Sequence, residues 1–192
     1  MHERPVFYYD LGSPYAYIVA ERINQVLPVV PIWQPILLGG VWSHAGGGSW
    51  SQTDRRAEGM AEVERRAREH GLQPIRWPEP WPTSTLTAMR AATYCRQIGR
   101  GVAFSLAAFR QAFAGARDLS VADNVFIAAA ACELHPNAVL KGIESKGTKE
   151  RLRRATAEAA ERGVQGVPTV AVGSELFWGD DRLEEAAAAL TR

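Results

Sequence analysis

The hydrophobic pattern of the N-terminal part of the chain predicts a strand, a helix and a second strand. The aromatic and β-branched run 6–9 is typical of a strand. Apolar residues at three- and four-residue steps then predict a helix over 13–25, with proline in its first turn. The stretch 29–36 predicts a second strand, but Pro31 and Pro35 cannot donate ladder hydrogen bonds and favour a short strand at a sheet edge.

Helical periodicity dominates the middle of the chain, and strand patterns return near its end. The segment 39–49 is rich in glycine and serine, has no period of its own and is a candidate for a mobile lid. Helices are predicted over 53–70, 84–98, 102–114, 122–134 and 144–161. The runs 170–172 and 176–178 then predict a tight hairpin, and a short amphipathic helix closes the chain.

This order of elements predicts an α/β fold with a thioredoxin-like core and a large all-helical insertion. The core would have the order β-α-β … β-β-α and a mixed sheet. We expect residues 1–40 and 163–192 to form the thioredoxin-like domain and residues 41–162 to form an inserted helical domain. No internal repeat competes with this organisation.

Composition and charge argue against several classes of partner, but they say little about the fold. Twenty-two basic residues stand against 21 acidic ones, so no charge excess favours nucleic acid or an anionic membrane as a partner. The longest apolar run, 125–132, is far shorter than the roughly 20 residues of a membrane helix. Cys95 and Cys132 lie in alanine-rich apolar stretches without a Cys-x-x-Cys pair, and no export signal precedes the first strand. We therefore expect buried, reduced thiols and a cytoplasmic protein that acts on a small molecule.

Two separated segments offer candidate chemistry, and each also has a purely structural interpretation. Ser13 before Pro14 is an ordinary helix N-cap, yet its hydroxyl and the nearby amides could also stabilise a thiolate at the positive end of the helix dipole. Val167-Pro168 could simply precede a strand. A cis bond there would instead present the backbone of Val167 to an extended peptide such as glutathione.

The segment Phe7-Tyr8-Tyr9-Asp10-Leu11-Gly12-Ser13-Pro14-Tyr15-Ala16-Tyr17 resembles the opening of 2-hydroxychromene-2-carboxylate isomerases and kappa-class glutathione transferases. These enzymes belong to the DsbA-like branch of the thioredoxin superfamily. Further similar segments follow in the family's order: Arg76-Trp77-Pro78, Thr85-Leu86 with Ala88-Met89-Arg90, Gly163 to Thr169, and Phe177 to Leu183.

The resemblance implies glutathione as the cofactor and a homodimer as the assembly. It places Ser13 at the glutathione sulfur and Val167, followed by Pro168, against the cysteinyl part. It also places Asp180 and Asp181 near the γ-glutamyl amino group. From the sequence alone, an N-cap and first-turn charge on the last helix explains these two aspartates equally well.

The chain departs from the family pattern on the substrate side of the expected site. Glycines 46–48 stand where the family has an asparagine, and Ser84 replaces another asparagine. Arg55 or Arg56 stands near the family's lysine, where arginine could anchor a carboxylate through two hydrogen bonds. A solvated helix face explains both arginines as well.

The remaining candidates are aromatic residues and histidines. Tyr15, Trp42, Trp77 and Trp81 could line a pocket for an aromatic substrate, although packing alone explains tryptophans of this kind. The four histidines are scattered without ligand spacing, so no metal site is predicted.

These observations favour a glutathione-dependent isomerase of an aromatic, pyruvate-bearing compound. The reaction would use reversible thiolate addition to a conjugated double bond. A kappa-like glutathione transferase that conjugates electrophiles is the first alternative, and a non-catalytic thioredoxin-like binding module is the second. A disulfide oxidoreductase is disfavoured because Ser13 and Ala16 stand where paired cysteines would be needed.

Overall fold

A four-stranded mixed sheet forms the centre of the computed structural model, which describes residues 4–192 apart from the side chain of Ala45. The strands are β1 (Val6–Tyr9), β2 (Ile32–Pro35), β3 (Thr169–Val172) and β4 (Glu175–Trp178), in the order β2-β1-β3-β4. β1 pairs in parallel with β2 and antiparallel with β3, which pairs antiparallel with β4. The predicted α/β class with a thioredoxin-like mixed sheet is thereby confirmed.

The connection between the parallel strands is helix α1 (Pro14–Val26). Ser13 caps this helix and Pro14 begins it, as the sequence predicted, because proline fits the first turn without losing a hydrogen bond. β2 lies at an edge of the sheet and begins at Ile32, three residues later than predicted. The preceding Val29 and Val30 are exposed rather than paired.

The other helices lie mainly between β2 and β3. They are α2 (Leu38–Ala45), α3 (Arg56–Glu69), α4 (Leu86–Gln97), α5 (Gly101–Phe113), α6 (Ala122–Ala130), α7 (Pro136–Glu144), α8 (Lys146–Glu161) and, after β4, α9 (Leu183–Ala189). Short 3-10 turns occupy Trp50–Gln52 and Asp180–Arg182. The predicted helices are present, with ends that differ by up to four residues. No helix of residues 4–192 combines the length and apolar character needed to cross a membrane.

Two elements differ from the sequence prediction. The segment 39–49 was expected to be a loop, but its first half belongs to α2, where Gly40 approaches the α8 helix so closely that a Cβ would lie 2.8 Å from Thr156 Cγ2. Gly40, which this packing requires, and the neighbouring Gly39 therefore concealed the helical pattern. The helix predicted over 144–161 starts at Lys146, and the separate helix α7 precedes it.

Opposite faces of β1 contribute to two apolar clusters, because side chains alternate along a strand. Phe7 and Tyr9 join the larger cluster, which also contains Phe109 of α5. The hydroxyls of Tyr9 and Ser105 form a buried hydrogen bond of 2.6 Å. Tyr8 faces the smaller cluster on the other side of the sheet. The larger cluster therefore joins the sheet to the helical segment, whereas the division into two domains stays a prediction.

Both cysteines are free and buried, as the sequence predicted. Burial raises the pKa of Cys95 to about 12, and it also raises the pKa of Cys132. Neither thiol is therefore disposed to react near neutral pH.

Candidate functional site

A cavity of about 910 Å³ opens where the N-termini of α1 and α2 meet the segment before β3 and the turn after β4. Nine of the predicted site residues line it: Ser13, Tyr15, Trp42, Trp81, Ser84, Val167, Pro168, Asp180 and Asp181. Residues 46–51 line it as well. That the segment 39–49 closes over the cavity as a lid stays a prediction.

Three predicted site residues do not line this cavity: Arg55, Arg56 and Trp77. Arg55 is exposed and pairs with Glu58 in the first turn of α3. Arg56 donates to the carbonyl of Trp81 at 2.8 Å and lies over that indole. Trp77 packs behind Trp81 with ring centroids 4.6 Å apart. Arg56 and Trp77 therefore support the cavity wall from behind, and Arg55 points to solvent.

Ser13 joins the two separated segments that the sequence singled out. Its hydroxyl donates to the carbonyl of Val167 at 3.3 Å and accepts from the amide of Ala16 at 3.2 Å. The Val167-Pro168 bond is cis, as the sequence hypothesis required. Ser13 is thus both the cap of α1 and a polar group on the cavity wall, and these two roles do not exclude each other.

Two backbone amides beside Ser13 make no hydrogen bond to any group in residues 4–192. One is the N–H of Tyr15, in the first turn of α1, and the other is the N–H of Val167. Both residues line the cavity. Buried amides normally have partners, and amides at a helix N-terminus favour negative charge. This arrangement can therefore donate to an extended peptide at Val167 and to an anion at Tyr15.

A buried carboxylate lies directly beneath this region. Asp10, at the end of β1, accepts from the amide of Gly12 at 2.9 Å, from the hydroxyl of Thr85 at 2.8 Å and from the amide of Leu38 at 3.0 Å. Burial raises the pKa of Asp10 above its ordinary value. Asp10 therefore fixes the loop before α1 to the N-termini of α2 and α4, and sequence reasoning gave it no role.

A charged cluster forms another part of the wall. Nη1 of Arg66 lies 2.7 Å from Oδ1 of Asp180 and 4.0 Å from Oδ1 of Asp181, and Nε lies 2.7 Å from Glu62. The Asp180 side chain is only 3% exposed, whereas that of Asp181 is 66% exposed. Burial raises the pKa of Asp180, although the adjacent guanidinium opposes this rise. The buried Asp180 is therefore less accessible to a ligand than the exposed Asp181.

Aromatic side chains form the apolar part of the cavity. Trp50 contacts both Tyr15 and Trp81, with ring centroids 6.2 Å and 5.6 Å apart. Trp178 lies at the end of β4 and is 53% exposed, an unusual position for an indole. Gly166 allows Trp178 to lie against the backbone, since a Cβ would be 2.6 Å from its Nε1. An aromatic ligand in the cavity would therefore contact several aromatic side chains.

Sequence reasoning missed Asp10, Arg66, Trp50 and Trp178 among the residues that line the cavity. Asp10 and Trp178 lie inside segments that carried the family resemblance, so their positions next to Ser13 and Asp180 were an available signal. Arg66 had no such signal, because it is one of several arginines on a strongly polar helix. Across residues 4–192, no three His, Cys, Asp or Glu side chains are grouped in a way that could hold a metal ion.

Comparison with known proteins agrees with this geometry. The family described as DsbA-like thioredoxin domain matches residues 6–191, and the chain belongs to it. A 2-hydroxychromene-2-carboxylate isomerase of Sphingobium xenophagum is 26% identical in an alignment 190 residues long, which covers 93% of this chain and 93% of the isomerase. The predicted resemblance to these isomerases is thereby confirmed.

Solved structures show the same fold. A 2-hydroxychromene-2-carboxylate isomerase superimposes with a TM-score of 0.88 at 22% identity and covers 99% of this chain and 95% of its own. The cytosolic disulfide reductase DsbM of Pseudomonas aeruginosa, solved with GSH, has a TM-score of 0.65 at 13% identity and covers 98% of each chain. At these identities the structures establish the fold and not the reaction.

Proposed function

We propose that the protein is a glutathione-dependent isomerase of an aromatic, pyruvate-bearing compound. The observation that carries the proposal is the contact between Ser13 and Val167, which brings a hydroxyl, a free amide and a helix N-terminus together on one wall. The similarity to a 2-hydroxychromene-2-carboxylate isomerase over 93% of the chain supports this reaction class.

The residues present fit glutathione. A cavity of about 910 Å³ is large enough for a tripeptide together with an aromatic substrate, since typical ligand sites measure about 300–1,000 Å³. The unpaired N–H of Val167 suits the backbone of an extended peptide, and Ser13 with the N–H of Tyr15 suits its sulfur. When bound, glutathione would supply a nucleophilic thiolate that adds reversibly to a conjugated double bond and allows it to rotate.

The chain's own contribution is to hold the thiol ionised and the substrate oriented. The hydroxyl of Ser13 can donate one proton at a time, so a thiolate would compete with the carbonyl of Val167 for it. Donation to a charged acceptor is stronger than donation to a neutral one, and the dipole of α1 adds to it. The aromatic wall formed by Trp50 and Trp81 would exclude water and orient the substrate.

Substitution of Ser13 tests this proposal, provided that its capping role is separated from its role toward sulfur. Ser145 is a matched control, because its hydroxyl caps α8 by accepting from Thr148 N at 3.1 Å. Neither Ser145 nor Thr148 lines the cavity. Both Ser13→Ala and Ser145→Ala should lose about 1 kcal/mol of stability through the lost cap.

Only Ser13→Ala should change the bound thiol. We expect the pKa of bound glutathione, followed by ultraviolet thiolate absorbance, to rise by about 1–2 units, which corresponds to the loss of one hydrogen bond to a charged group. Turnover by Ser13→Ala should fall as the thiol pKa rises. If Ser13→Ala left both the thiol pKa and turnover at the values of Ser145→Ala, the proposed role of Ser13 would be wrong.

Product analysis separates the proposed isomerase from the two alternatives. An isomerase returns an isomerised substrate with all of the thiol recovered. A transferase would consume thiol and yield a stable thioether. A non-catalytic binding module would show no turnover and no heat of glutathione binding in calorimetry. The assay therefore needs both a thiol titration and identification of the product.

A further inference from the structure

We propose that the buried carboxylate of Asp10 accepts the proton of the bound thiol, which makes Asp10 the base of the proposed reaction. The S–H bond breaks with its electron pair left on sulfur, and an O–H bond forms on Asp10. When the sulfur is expelled from the substrate, the proton returns to it. This inference rests on the proposed function, because the thiol is taken to be that of glutathione.

Asp10 is a buried carboxylate without a cation beside it. The residue is only 5% exposed, and its hydrogen-bond donors within residues 4–192 are the neutral groups of Gly12, Thr85 and Leu38. A buried charge is costly unless it is paired, so protonation relieves part of this cost. Burial accordingly raises the pKa of Asp10. Asp10 therefore takes up a proton more readily than an exposed aspartate does.

One oxygen of this carboxylate has room for a proton. Oδ1 accepts from both Gly12 and Thr85, whereas Oδ2 accepts only from Leu38 among the groups of residues 4–192. Each carboxylate oxygen has about two lone-pair sites. Oδ2 can therefore bind a proton while all three existing donors stay in place. Asp10 also lines the cavity, so a proton can reach it from a ligand.

The carboxylate lies in the same turn as Ser13, where the thiol is proposed to bind. The N–H of Ser13 donates to the backbone carbonyl of Asp10 at 3.0 Å, and the side chain of Asp10 folds back to the N–H of Gly12. Both Asp10 and Ser13 line the cavity. A proton can thus pass from the sulfur to Asp10 inside the cavity, directly or through one water molecule.

The balance of charge explains why the proton should stay on the protein. Ser13 and the dipole of α1 favour a thiolate, but an ionised Asp10 in the same turn would put a second negative charge beside it. When two anions share a site, the pKa of one of them is strongly raised. Transfer of the thiol proton to Asp10 keeps a single negative charge in the site and moves it from oxygen to sulfur.

Two other carboxylates line the cavity, and neither is placed for this role. Asp180 is paired with the guanidinium of Arg66 at 2.7 Å, so its charge is already balanced. The side chain of Asp181 is 66% exposed, so water stabilises its ionised form. Among the described residues that line the cavity, Asp10 alone is a buried carboxylate without an ion pair.

The number of protons released on binding tests the inference without any turnover. Calorimetric titrations of glutathione into the wild-type protein, in buffers of different ionisation enthalpy at one neutral pH, give this number. Ultraviolet absorbance gives the amount of thiolate formed. We expect a thiolate with almost no proton released, because the proton stays on the protein. S-Methylglutathione has no thiol proton, so any release that it causes comes from other groups and is subtracted.

Asp10→Asn removes the acceptor and should change the proton count. Each thiolate that forms in this variant should be accompanied by about one released proton, because the proton then passes to the buffer. Asp118→Asn is the matched control, since Asp118 also accepts from a hydroxyl and an amide but does not line the cavity. It should release no more protons than the wild type. A merely structural role of Asp10 would change stability or affinity and leave the number of protons per thiolate unchanged.

Infrared difference spectra identify the group that holds the proton. The spectrum of the wild-type protein with glutathione, minus the spectrum with S-methylglutathione, should contain the carbonyl band of a protonated carboxylic acid. This band should be absent from Asp10→Asn and present in Asp118→Asn. The proton count and the spectrum of the wild-type protein test the inference even where Asp10→Asn does not fold.

The outcomes separate this inference from the proposed function. If the wild-type protein binds glutathione as a thiolate and releases one proton for each, the role of Asp10 is wrong and the proposed function stands. If Asp10→Asn forms the thiolate and still releases no proton, another group accepts it and the inference fails. If the wild-type protein does not bind glutathione, or binds it without forming a thiolate, the proposed function fails and the inference fails with it.

Discussion

The buried carboxylate of Asp10 provides a test of how the site is held together. Its Oδ1 accepts from Gly12 and Thr85, and its Oδ2 accepts from Leu38, so one side chain joins three segments that border the cavity. The substitution Asp10→Asn keeps the shape of the side chain. It removes the charge and converts one acceptor oxygen into a donor.

The expected cost follows from these three bonds. The amide oxygen of the asparagine can still accept from Gly12 and Thr85, but its NH₂ group would face the N–H of Leu38. One hydrogen bond is lost and two donors oppose each other, which should lower the free energy of unfolding by about 1–3 kcal/mol. The removal of a buried charge offsets part of this cost, because desolvation disfavours the carboxylate.

The destabilisation caused by Asp10→Asn changes with pH, and the pKa shift of Asp10 gives the direction of this change. Burial raises the pKa of Asp10 in the folded state above its unfolded value of about 3.9. The protonated form therefore contributes stability that is present below the unfolded pKa and is lost as the pH rises through the folded pKa. Asparagine does not titrate. The destabilisation caused by Asp10→Asn should thus be largest at acid pH and shrink as the pH rises.

Urea unfolding of both proteins over a pH series measures this difference, and Asp118→Asn is the matched control. Asp118 also accepts from a hydroxyl and an amide, those of Thr83 and Ser120, but it does not line the cavity. Despite its partial burial, these hydrogen bonds hold the pKa of Asp118 below its ordinary value. Its substitution should therefore become more costly as the pH rises. A destabilisation by Asp10→Asn that grows with pH would refute the reasoning.

Three further experiments test packing and burial. Gly39→Ala, whose new Cβ would meet no atom within 4 Å, should stabilise the protein by about 0.5–1 kcal/mol, whereas the tightly packed Gly40→Ala should destabilise it in the same urea assay. Tyr9→Phe and Ser105→Ala should each cost about 1–3 kcal/mol, and the double variant should cost less than their sum; full additivity in the double-mutant cycle would count against the buried hydrogen bond. Cys95 should react with a thiol reagent only at the rate of unfolding, and rapid labelling of the native protein would contradict its burial.

The sequence determined the framework of the fold because the framework depends on patterns with a short period. Aromatic and β-branched runs marked all four strands, and apolar steps of three and four residues marked most helices. Helix α2 was not predicted because Gly39 and Gly40 occupy its first turn. Helix α7 was not predicted either, although Pro136 at its first position was an available signal. Packing explains the first miss, because Gly40 lies against α8, whereas the second miss left a local signal unused.

The candidate site was predictable only where a residue carried a local signal. Ser13 opens a helix and Val167 precedes a proline, so each could be singled out before their contact was known. Arg66 could not be chosen over Arg55 or Arg56, because all three lie on the same polar stretch. Only the folded chain shows that Arg66 meets Asp180, which is 114 residues away, while Arg55 points to solvent.

The groups around Ser13 support a mechanism in which the reactive nucleophile comes from the ligand. The hydrogen-bond partners of its hydroxyl are an amide and a carbonyl, neither of which can remove a proton. No histidine or lysine within the described part of the chain lines the cavity, so a serine alcohol activated by a base has no support there. Cys95 and Cys132 are buried with raised pKa values. These features support the proposed reaction, in which the thiol arrives with the ligand.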